Sequence, residues 1–162
     1  MFHFSKESRL GRGVLLAAVI AGASAFAVPA IAGECPADQK KPNAREDVDL
    51  KPVGVTDTVI AAIDVSKAPF NIDGRNFRMR KLVVEPGGIV PWHSHADRPA
   101  IIYIVEGEIH EYASNCSVPL VHDAGDVVAE TPEISHWWKN LGDTTVVLLS
   151  ADLIKDTTDH NM

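Results

Sequence analysis

From Val53 to about residue 155, turn-forming residues divide the chain into short apolar runs, and this pattern constrains the fold most. The runs are rich in Val, Ile and Thr, and Gly, Pro, Asn and Asp separate them at nearly regular spacing, as in TVIAAIDV, NFRMRKLVVE, AIIYIVEG and TTVVLLSADL. Such spacing is typical of an all-β sandwich or barrel. No apolar stripe of helical period continues beyond about two turns after residue 33. We therefore predict one β-barrel over residues 53–155, followed by a flexible tail at 156–162.

The first 32 residues have the three parts of an export signal. Lys6, Arg9 and Arg12 give a positive start, an uncharged apolar stretch follows, and Ala30-Ile31-Ala32 ends it with a small-x-small cleavage pattern. Residues 1–32 are therefore predicted to be removed, which places the mature protein in the periplasm or outside the cell without stable membrane insertion. The alternative is a retained membrane anchor, because the apolar stretch is about long enough to span a bilayer.

Residues 33–52 are polar, contain Pro and lack periodicity, so they are interpreted as an N-terminal arm. Cys35 lies in this arm and Cys116 in the predicted barrel. A disulfide between them fits an oxidising compartment. Two unrelated free thiols are the alternative, because spacing alone does not bring the two cysteines together.

Charge and composition exclude several classes of protein. The chain is 46% hydrophobic with a formal net charge of −7, so it is globular and has no basic surplus for nucleic acid. Its two cysteines cannot form a four-cysteine zinc site. The chemistry must therefore come from histidines and carboxylates.

Three histidines form the strongest candidate site. His93 and His95 alternate in the strand-like run GIVPWHSH, so both imidazoles are predicted to point to the same face. His136 begins another short strand, ISHWWKN. Each histidine alone is more often a surface or hydrogen-bonded core residue than a metal ligand.

The framework around these histidines resembles the cupin superfamily. Its first motif places a glycine six residues before His-x-His and closes on another glycine, and its second runs from glycine through histidine to asparagine. The matching residues are Gly87, His93, His95 and Gly107, then Gly125, His136 and Asn140, within residues 75–152. The resemblance implies a single jelly-roll-like β-barrel with a mononuclear divalent metal held by His93, His95 and His136. It also implies a homodimer.

One departure from the family pattern changes the expected chemistry. Ala100 stands where the family usually carries a glutamate ligand. Three neutral imidazoles would leave the ion its full charge and several open positions, which favours a small chelating anion such as a diketonate, catecholate, hydroxy acid or thiolate. Three-histidine cupins include iron-dependent dioxygenases, but Mn, Zn, Ni and Cu also suit imidazole ligands, and zinc and copper outcompete iron(II) outside the cytoplasm.

Strand alternation predicts an apolar pocket beside the metal. Ala100, Ile102 and Ile104 share one face, and Trp138 shares the face of His136. Barrel core is the other interpretation of Trp138.

Other polar residues are expected to have lesser roles. Arg78 and Arg80 share a face that is interpreted as solvated, with an inward substrate clamp as the alternative. His110 is a weak candidate for a further ligand, and His122 is interpreted as peripheral.

Two functional hypotheses follow. The first is an exported metal-dependent cupin enzyme acting on a small chelating anion, with iron-dependent dioxygenation as its most specific version. The second is a noncatalytic module that binds a small ligand or metal, because a fold does not set a function. Loss of the metal, with the histidines kept as core groups, is a third alternative.

Overall fold

The apolar runs of the sequence form strands in the computed structural model, which describes residues 34–70, 72 and 74–155. The predicted export signal and the predicted tail lie outside the described residues. Over the part of the chain that is described, no helix is long and apolar enough to cross a membrane. The strands are β1 Val53–Asp64, β2 Asn76–Ser94, β3 Ala100–Glu106, β4 Glu108–Ala113, β5 Leu120–Asp123, β6 Val127–Glu130, β7 Ser135–Lys139 and β8 Val146–Ile154.

The strands form one curled antiparallel sheet in the order β5-β4-β7-β2-β8-β3-β6, with β1 also paired to β2. This confirms the predicted all-β barrel. The long strand β2 changes partner along its length, from β8 over residues 76–84 to β7 over residues 89–94. Gly88 lies at this change, where an added Cβ would come within 2.7 Å of the Glu85 carbonyl oxygen. Only glycine therefore allows the close backbone approach that carries β2 from one partner to the other.

Inward side chains of the sheet form an apolar core. Alternation along β3, β4 and β8 buries every second residue, which is the burial pattern of strands with one face inside. The buried apolar cluster consists of Leu82, Val84, Val90, Ala100, Ile102, Ile104, Ile109, Val128, Trp138, Val146 and Leu148.

The N-terminal arm lies against the end of β4 and the segment that joins β4 to β5. Cys35 and Cys116 form a disulfide, and Lys40 forms an isolated β-bridge with Cys116. Farther along, Arg45 donates a hydrogen bond of 2.7 Å from Nη2 to the Val118 carbonyl oxygen. Because the disulfide joins residues 81 apart in sequence, it removes much of the unfolded chain's freedom and is expected to stabilise the fold by about 2–4 kcal/mol.

Candidate metal centre

Three histidines meet on the inner face of the sheet. His93 on β2 pairs directly with His136 on β7, and His95 follows one residue after β2 ends. The Nε2 atoms lie 3.1 Å apart between His93 and His95, 3.0 Å between His95 and His136, and 3.0 Å between His93 and His136. The two motifs of the sequence thus bring three imidazole nitrogens to one point.

The opposite nitrogen of each ring is held by an oxygen that can only accept. Nδ1 of His93 lies 2.8 Å from the Pro91 carbonyl oxygen, Nδ1 of His95 lies 2.9 Å from that of Arg98, and Nδ1 of His136 lies 2.7 Å from Oε1 of Glu111. Each Nδ1 must therefore carry the hydrogen when the ring is neutral, and each Nε2 keeps its lone pair. Three lone pairs then converge with no hydrogen between them, an arrangement that a cation would stabilise.

The spacing of the three nitrogens fits ligation of one metal ion. Two nitrogens about 2.1 Å from an ion lie about 3.0 Å apart at a right angle, and about 3.4 Å apart at a tetrahedral angle. The observed 3.0–3.1 Å separations match the right angle, which leaves one side of an ion open to other ligands. The residues present therefore fit a divalent ion.

Two buried carboxylates, which the sequence pattern did not reveal as site residues, lie behind His136. Glu111 on β4 accepts from Nδ1 of His136 through Oε1 and from Nε2 of His122, at 2.9 Å, through Oε2. Oε2 of Glu130 on β6 lies 3.6 Å from Nδ1 of His136. Both carboxylates approach the ring from the side away from Nε2, so neither joins the three converging nitrogens.

A sequence signal for Glu111 exists in the alternation of EIHEYA. Ile109, Glu111 and Ala113 share one row and are all buried, whereas Glu108 is exposed. A charged residue within an otherwise apolar row indicates a buried polar contact. The partner of that contact depends on strand register, which the sequence does not give.

Burial and neighbouring charges shift the pKa values of this cluster in opposite directions. Burial and the charge of His136 lower the pKa of His95 to about 4. Burial alone would lower the pKa of His136, but the carboxylates of Glu130 and Glu111 raise it. Burial would likewise raise the pKa of Glu111, but hydrogen bonds from His122 and His136 lower it to about 2. His95 is therefore a neutral ligand at pH 7, and the Glu111 carboxylate is charged.

The pocket in front of the three Nε2 atoms is narrow and largely apolar. Its cavity volume is about 20 Å³, which is room for about one water molecule. Of the predicted pocket residues, Ile102 and Trp138 line it, whereas Ala100 and Ile104 lie in the apolar core instead of in the lining. Among the residues that the structure describes, the lining consists of Arg80, Leu82, Val90, His93, His95, Ile102, His136, Trp138, Leu148 and Ser150.

Trp138 contacts the centre more closely than core packing alone requires. Its Nε1 lies 3.1 Å from Nδ1 and 3.2 Å from Nε2 of His136. The two ring planes are 79° apart, so the indole N–H points at the imidazole face. The indole ring also stacks on the imidazole of His122, with 4.8 Å between the ring centroids. Trp138 thus fixes the orientation of His136 as well as filling the core.

The solvated face predicted for Arg78 and Arg80 is wrong, because both residues are buried on the inner face of β2. Arg78 donates to Asp152 from Nε at 3.0 Å and from Nη2 at 2.7 Å. Arg80 donates to Asp57 at 2.8 Å and reaches the pocket lining. Two inward aspartates compensate the two positive charges, which offsets the free-energy cost of burying both arginines.

The structure also places the two remaining histidines. His110 is partly buried and lies 3.2 Å from Oε1 of Glu108, on the opposite side of β4 from Glu111, so it is not among the three converging rings. The peripheral position predicted for His122 is wrong, because this residue is fully buried between Glu111 and Trp138.

Known structures of the same architecture resemble this chain. A protein with a double-stranded β-helix domain from Klebsiella pneumoniae has a TM-score of 0.50 at 16% identity, over 64% of this chain and 81% of that one. A Cupin 2 conserved barrel domain protein from Salinispora arenicola has a TM-score of 0.49 at 20% identity, over 69% and 85%. An oxalate oxidase in complex with glycolate has a TM-score of 0.49 at 23% identity, over 64% of this chain and 52% of that chain. The chain therefore spans about half the length of that oxidase.

Among curated proteins, none matches the chain at a significant level. The family model described as the cupin domain matches residues 80–152, which include all three histidines of the candidate centre. The matched segment, the curled antiparallel sheet and the double-stranded β-helix neighbour agree with one another, and the chain is a member of the cupin superfamily.

Proposed function

We propose that this chain is an exported, mononuclear metal-binding cupin enzyme that acts on a small chelating anion. The observation that carries the proposal is the convergence of three Nε2 atoms within 3.1 Å, each on a ring whose Nδ1 is held by an acceptor. Hydrogen bonding explains the orientation of each ring, but it does not explain why the three lone pairs face one another.

His93, His95 and His136 would hold the ion. A first-row divalent metal bound there would act as a Lewis acid for an anionic substrate and, if it is iron, would support dioxygen chemistry. The part of the protein is to orient three neutral donors through Pro91 and Arg98 carbonyl oxygens and Glu111.

The position of Arg80 supports the proposal that the substrate is an anion. Its guanidinium is fixed at the pocket wall by Asp57 at 2.8 Å and by Ser150 at 3.4 Å. Among the described residues, Nε of Arg80 is a buried donor without a hydrogen-bond partner. If the pocket opens slightly, a carboxylate or enolate oxygen of the substrate could accept a hydrogen bond from this nitrogen. The apolar side chains of Leu82, Ile102 and Leu148 would exclude water around it.

The second candidate function is a noncatalytic metal-binding module, and the size of the pocket favours it. A cavity volume of about 20 Å³ accepts a water molecule but no organic chelator without movement of its walls. Turnover separates the two functions, because a module binds its ligand without consuming it.

The test begins with metal content. Mature protein, His93→Ala and His136→Ala are loaded with Fe(II) or Mn(II), desalted and analysed, with His110→Ala as a control because His110 lies outside the cluster. We expect about one ion per chain in wild type and in the control, and none in the two ligand variants. Equal, substoichiometric metal in all four proteins would overturn the metal centre.

Oxygen uptake by the iron-loaded protein then tests dioxygenation with diketonates, catecholates, hydroxy acids and thiolates. Consumption that stops in His136→Ala supports the enzyme. Saturable binding without consumption of oxygen or substrate supports the module instead.

Export is part of the proposal, and two features support it. The leader pattern of residues 1–32 predicts cleavage, and the Cys35–Cys116 disulfide is of a kind that persists in oxidising compartments. N-terminal sequencing of protein from periplasmic and culture fractions would test it. Protein that accumulates in the cytoplasm with residues 1–32 still attached would contradict export.

We also propose a homodimer that forms through the outer face of the sheet. The outward residues of neighbouring strands form a continuous apolar surface, since Tyr103 on β3 lies between Leu149 on β8 and Val127 on β6. Tyr103 and Val127 are 43% and 54% exposed in the single chain. An apolar surface that spans three strands is typical of a protein interface.

A further inference from the structure

The buried carboxylate of Glu130 has no complete set of partners. Its side chain is 1% exposed, and within the described chain its Oε1 has no hydrogen-bond partner. Oε2 lies 3.6 Å from Nδ1 of His136, its one ion-pair contact among the described residues. Burial of a carboxylate without a compensating positive charge is strongly unfavourable, so this position favours a nearby cation.

Glu111 is also a buried carboxylate, but it differs from Glu130 in having a partner for each oxygen. Both oxygens of Glu111 are engaged, one by His136 and the other by His122. Glu111, Glu130 and His136 are close enough together to suggest a second metal site. However, the Glu111 oxygens and Nδ1 of His136 already form hydrogen bonds, so only Glu130 has an oxygen to spare.

The register of the sheet places Glu130 directly opposite Ala100. Residues Ala100 on β3 and Glu130 on β6 are cross-strand partners, and both are buried on the inner face. Directly opposed side chains have Cβ atoms about 4.5–5.5 Å apart. A carboxylate is therefore missing at position 100 and present one strand away, behind a metal-ligand ring instead of beside it.

We propose that Glu130 is a positioning residue that adds to Glu111 a second negative charge behind His136, which compensates for the carboxylate that the three-histidine centre lacks at position 100. The proposal rests on the proposed metal centre. The Nδ1–H of His136 is donated to Glu111, and the Glu130 carboxylate lies 3.6 Å from the same atom. A positive ion held at Nε2 would polarise the ring and strengthen its attraction to both carboxylates. The open positions of the ion stay free for substrate, because the compensating charge occupies none of them.

The test compares metal affinity with the stability of the metal-free protein. In Glu130→Gln, a neutral side chain of nearly the same shape replaces the carboxylate. We expect the Zn(II) or Mn(II) affinity, measured by competition with a chromophoric chelator, to fall about 10- to 100-fold. The melting temperature of the metal-free variant should be equal to or higher than that of wild type, because a buried carboxylate with one unpartnered oxygen is gone.

Glu133→Gln is the matched control, since Glu133 is an exposed carboxylate three residues farther along the chain. It should bind the ion as wild type does. Glu130→Asp, which keeps the charge, should bind more tightly than Glu130→Gln. The proposal is overturned if Glu130→Gln binds the ion within about twofold of wild type, or if metal affinity and metal-free stability fall together as for a structural residue.

A double variant places the carboxylate on β3 instead of β6. In Ala100→Glu/Glu130→Gln, the carboxylate stands at position 100 on the inner face, and the metal affinity should rise above that of Glu130→Gln. A folded double variant, checked by its melting temperature, that binds no more tightly than Glu130→Gln would also overturn the proposal. Failure of wild type to bind any metal would instead overturn the metal centre itself, so the two failures are distinguishable.

Discussion

The inner face of the sheet carries buried charged groups beside its apolar core, whereas the outer face carries exposed apolar residues. On the inner face, β8 buries Asp152 and Ser150, and the facing strands bury Arg78, Glu111 and Glu130. On the outer face, the same strands present apolar side chains to solvent. These outward residues are Val147, Leu149, Ala151 and Leu153 on β8, Ile101, Tyr103 and Val105 on β3, and Val127 on β6.

This difference shows that the two faces are stabilised by different means. Inner polar groups lose their hydration, so each needs a charge or hydrogen-bond partner, as Arg78 has in Asp152 at 2.7 Å. Outer apolar groups lose nothing on folding and gain only if another surface covers them. The inner face therefore depends on internal pairing of its charges, whereas the outer face leaves apolar area that the proposed dimer would cover.

Removal of one inner charge should have the largest effect. Asp152→Ala leaves Arg78 without the carboxylate that two of its nitrogens contact, and it removes an ion pair of 3.6 Å from Arg80. Breaking a buried pair destabilises proteins by about 3–5 kcal/mol. Urea unfolding of the metal-free protein should show a loss of this size.

The control for this change is Asp97→Ala, an exposed aspartate that makes ion pairs of 3.6 Å with Arg75 and Lys155. Exposed pairs contribute about 0–1 kcal/mol, so its loss should be small. If the two variants lose equal stability, the inner network does not depend on charge pairing.

Protonation of an inner histidine should have the next largest effect. Burial first, and then the charge of His136, lower the pKa of His95 to about 4, whereas in the unfolded chain it is about 6.5. Between these values the unfolded state binds more protons, so this residue's contribution to stability falls as the pH falls from about 6.5 to about 4. The loss amounts to about 3 kcal/mol at most.

Burial raises the pKa of Glu130 to about 7. The contribution of Glu130 to stability therefore rises as the pH falls, which opposes the effect of His95 in the whole protein. The measurement therefore compares metal-free wild type with His95→Gln in urea at several pH values. Wild type should lose up to about 3 kcal/mol relative to the variant between pH 6.5 and 4. Parallel curves would contradict the lowered pKa of His95.

Neutralising Glu111 should have a smaller effect, on the orientation of a ligand. In Glu111→Gln, the charged acceptor of the His136 Nδ1–H becomes a neutral one. Outer partners of metal ligands change affinity about 10- to 100-fold, or about 1.4–2.7 kcal/mol. Chelator competition should show this loss, and the Hδ1 proton resonance of His136 in the metal-free variant should move upfield.

Glu108→Gln is the control on the same strand, because Glu108 points outward and contacts His110 at 3.2 Å. It should change neither the metal affinity nor the His136 resonance. A Glu111→Gln variant that also changes neither would show that Glu111 does not orient the ligand.

The fold and the shared face of His93 and His95 could be predicted because they depend on local pattern, whereas the approach of His136 is expected only from the resemblance to the cupin superfamily. Turn residues divide the runs, and period-two alternation places His93 and His95 on one face. The strand partners of Glu111 and Glu130 could not be predicted, because they depend on which strands become neighbours. The register that sets Glu130 opposite Ala100 joins segments 30 residues apart.

The errors at Arg78, Arg80 and His122 share a different cause. Charged and polar residues usually face solvent, and the sequence around Arg78 and Arg80 gives no sign of their distant partners. Asp152 and Asp57 lie 74 and 23 residues from the arginines they contact. Burial of such residues therefore follows from tertiary pairing and not from the alternation of a single strand.

A substitution on the outer face should have the smallest effect on the free energy of unfolding, but it should change the oligomeric state. Tyr103→Lys places a charge between Leu149 and Val127, at the centre of the apolar surface. Because Tyr103 is 43% exposed in the single chain, the free energy of unfolding of the monomer should change by no more than about 0.5 kcal/mol. In sedimentation velocity, wild type should run as a dimer and the variant as a monomer.

Val121→Lys is the control. Val121 lies on β5, is 46% exposed and is outside this surface, so the variant should stay dimeric. A Tyr103→Lys protein that still dimerises, or a wild type that is monomeric at all concentrations, would show that the apolar outer face is not a dimer interface.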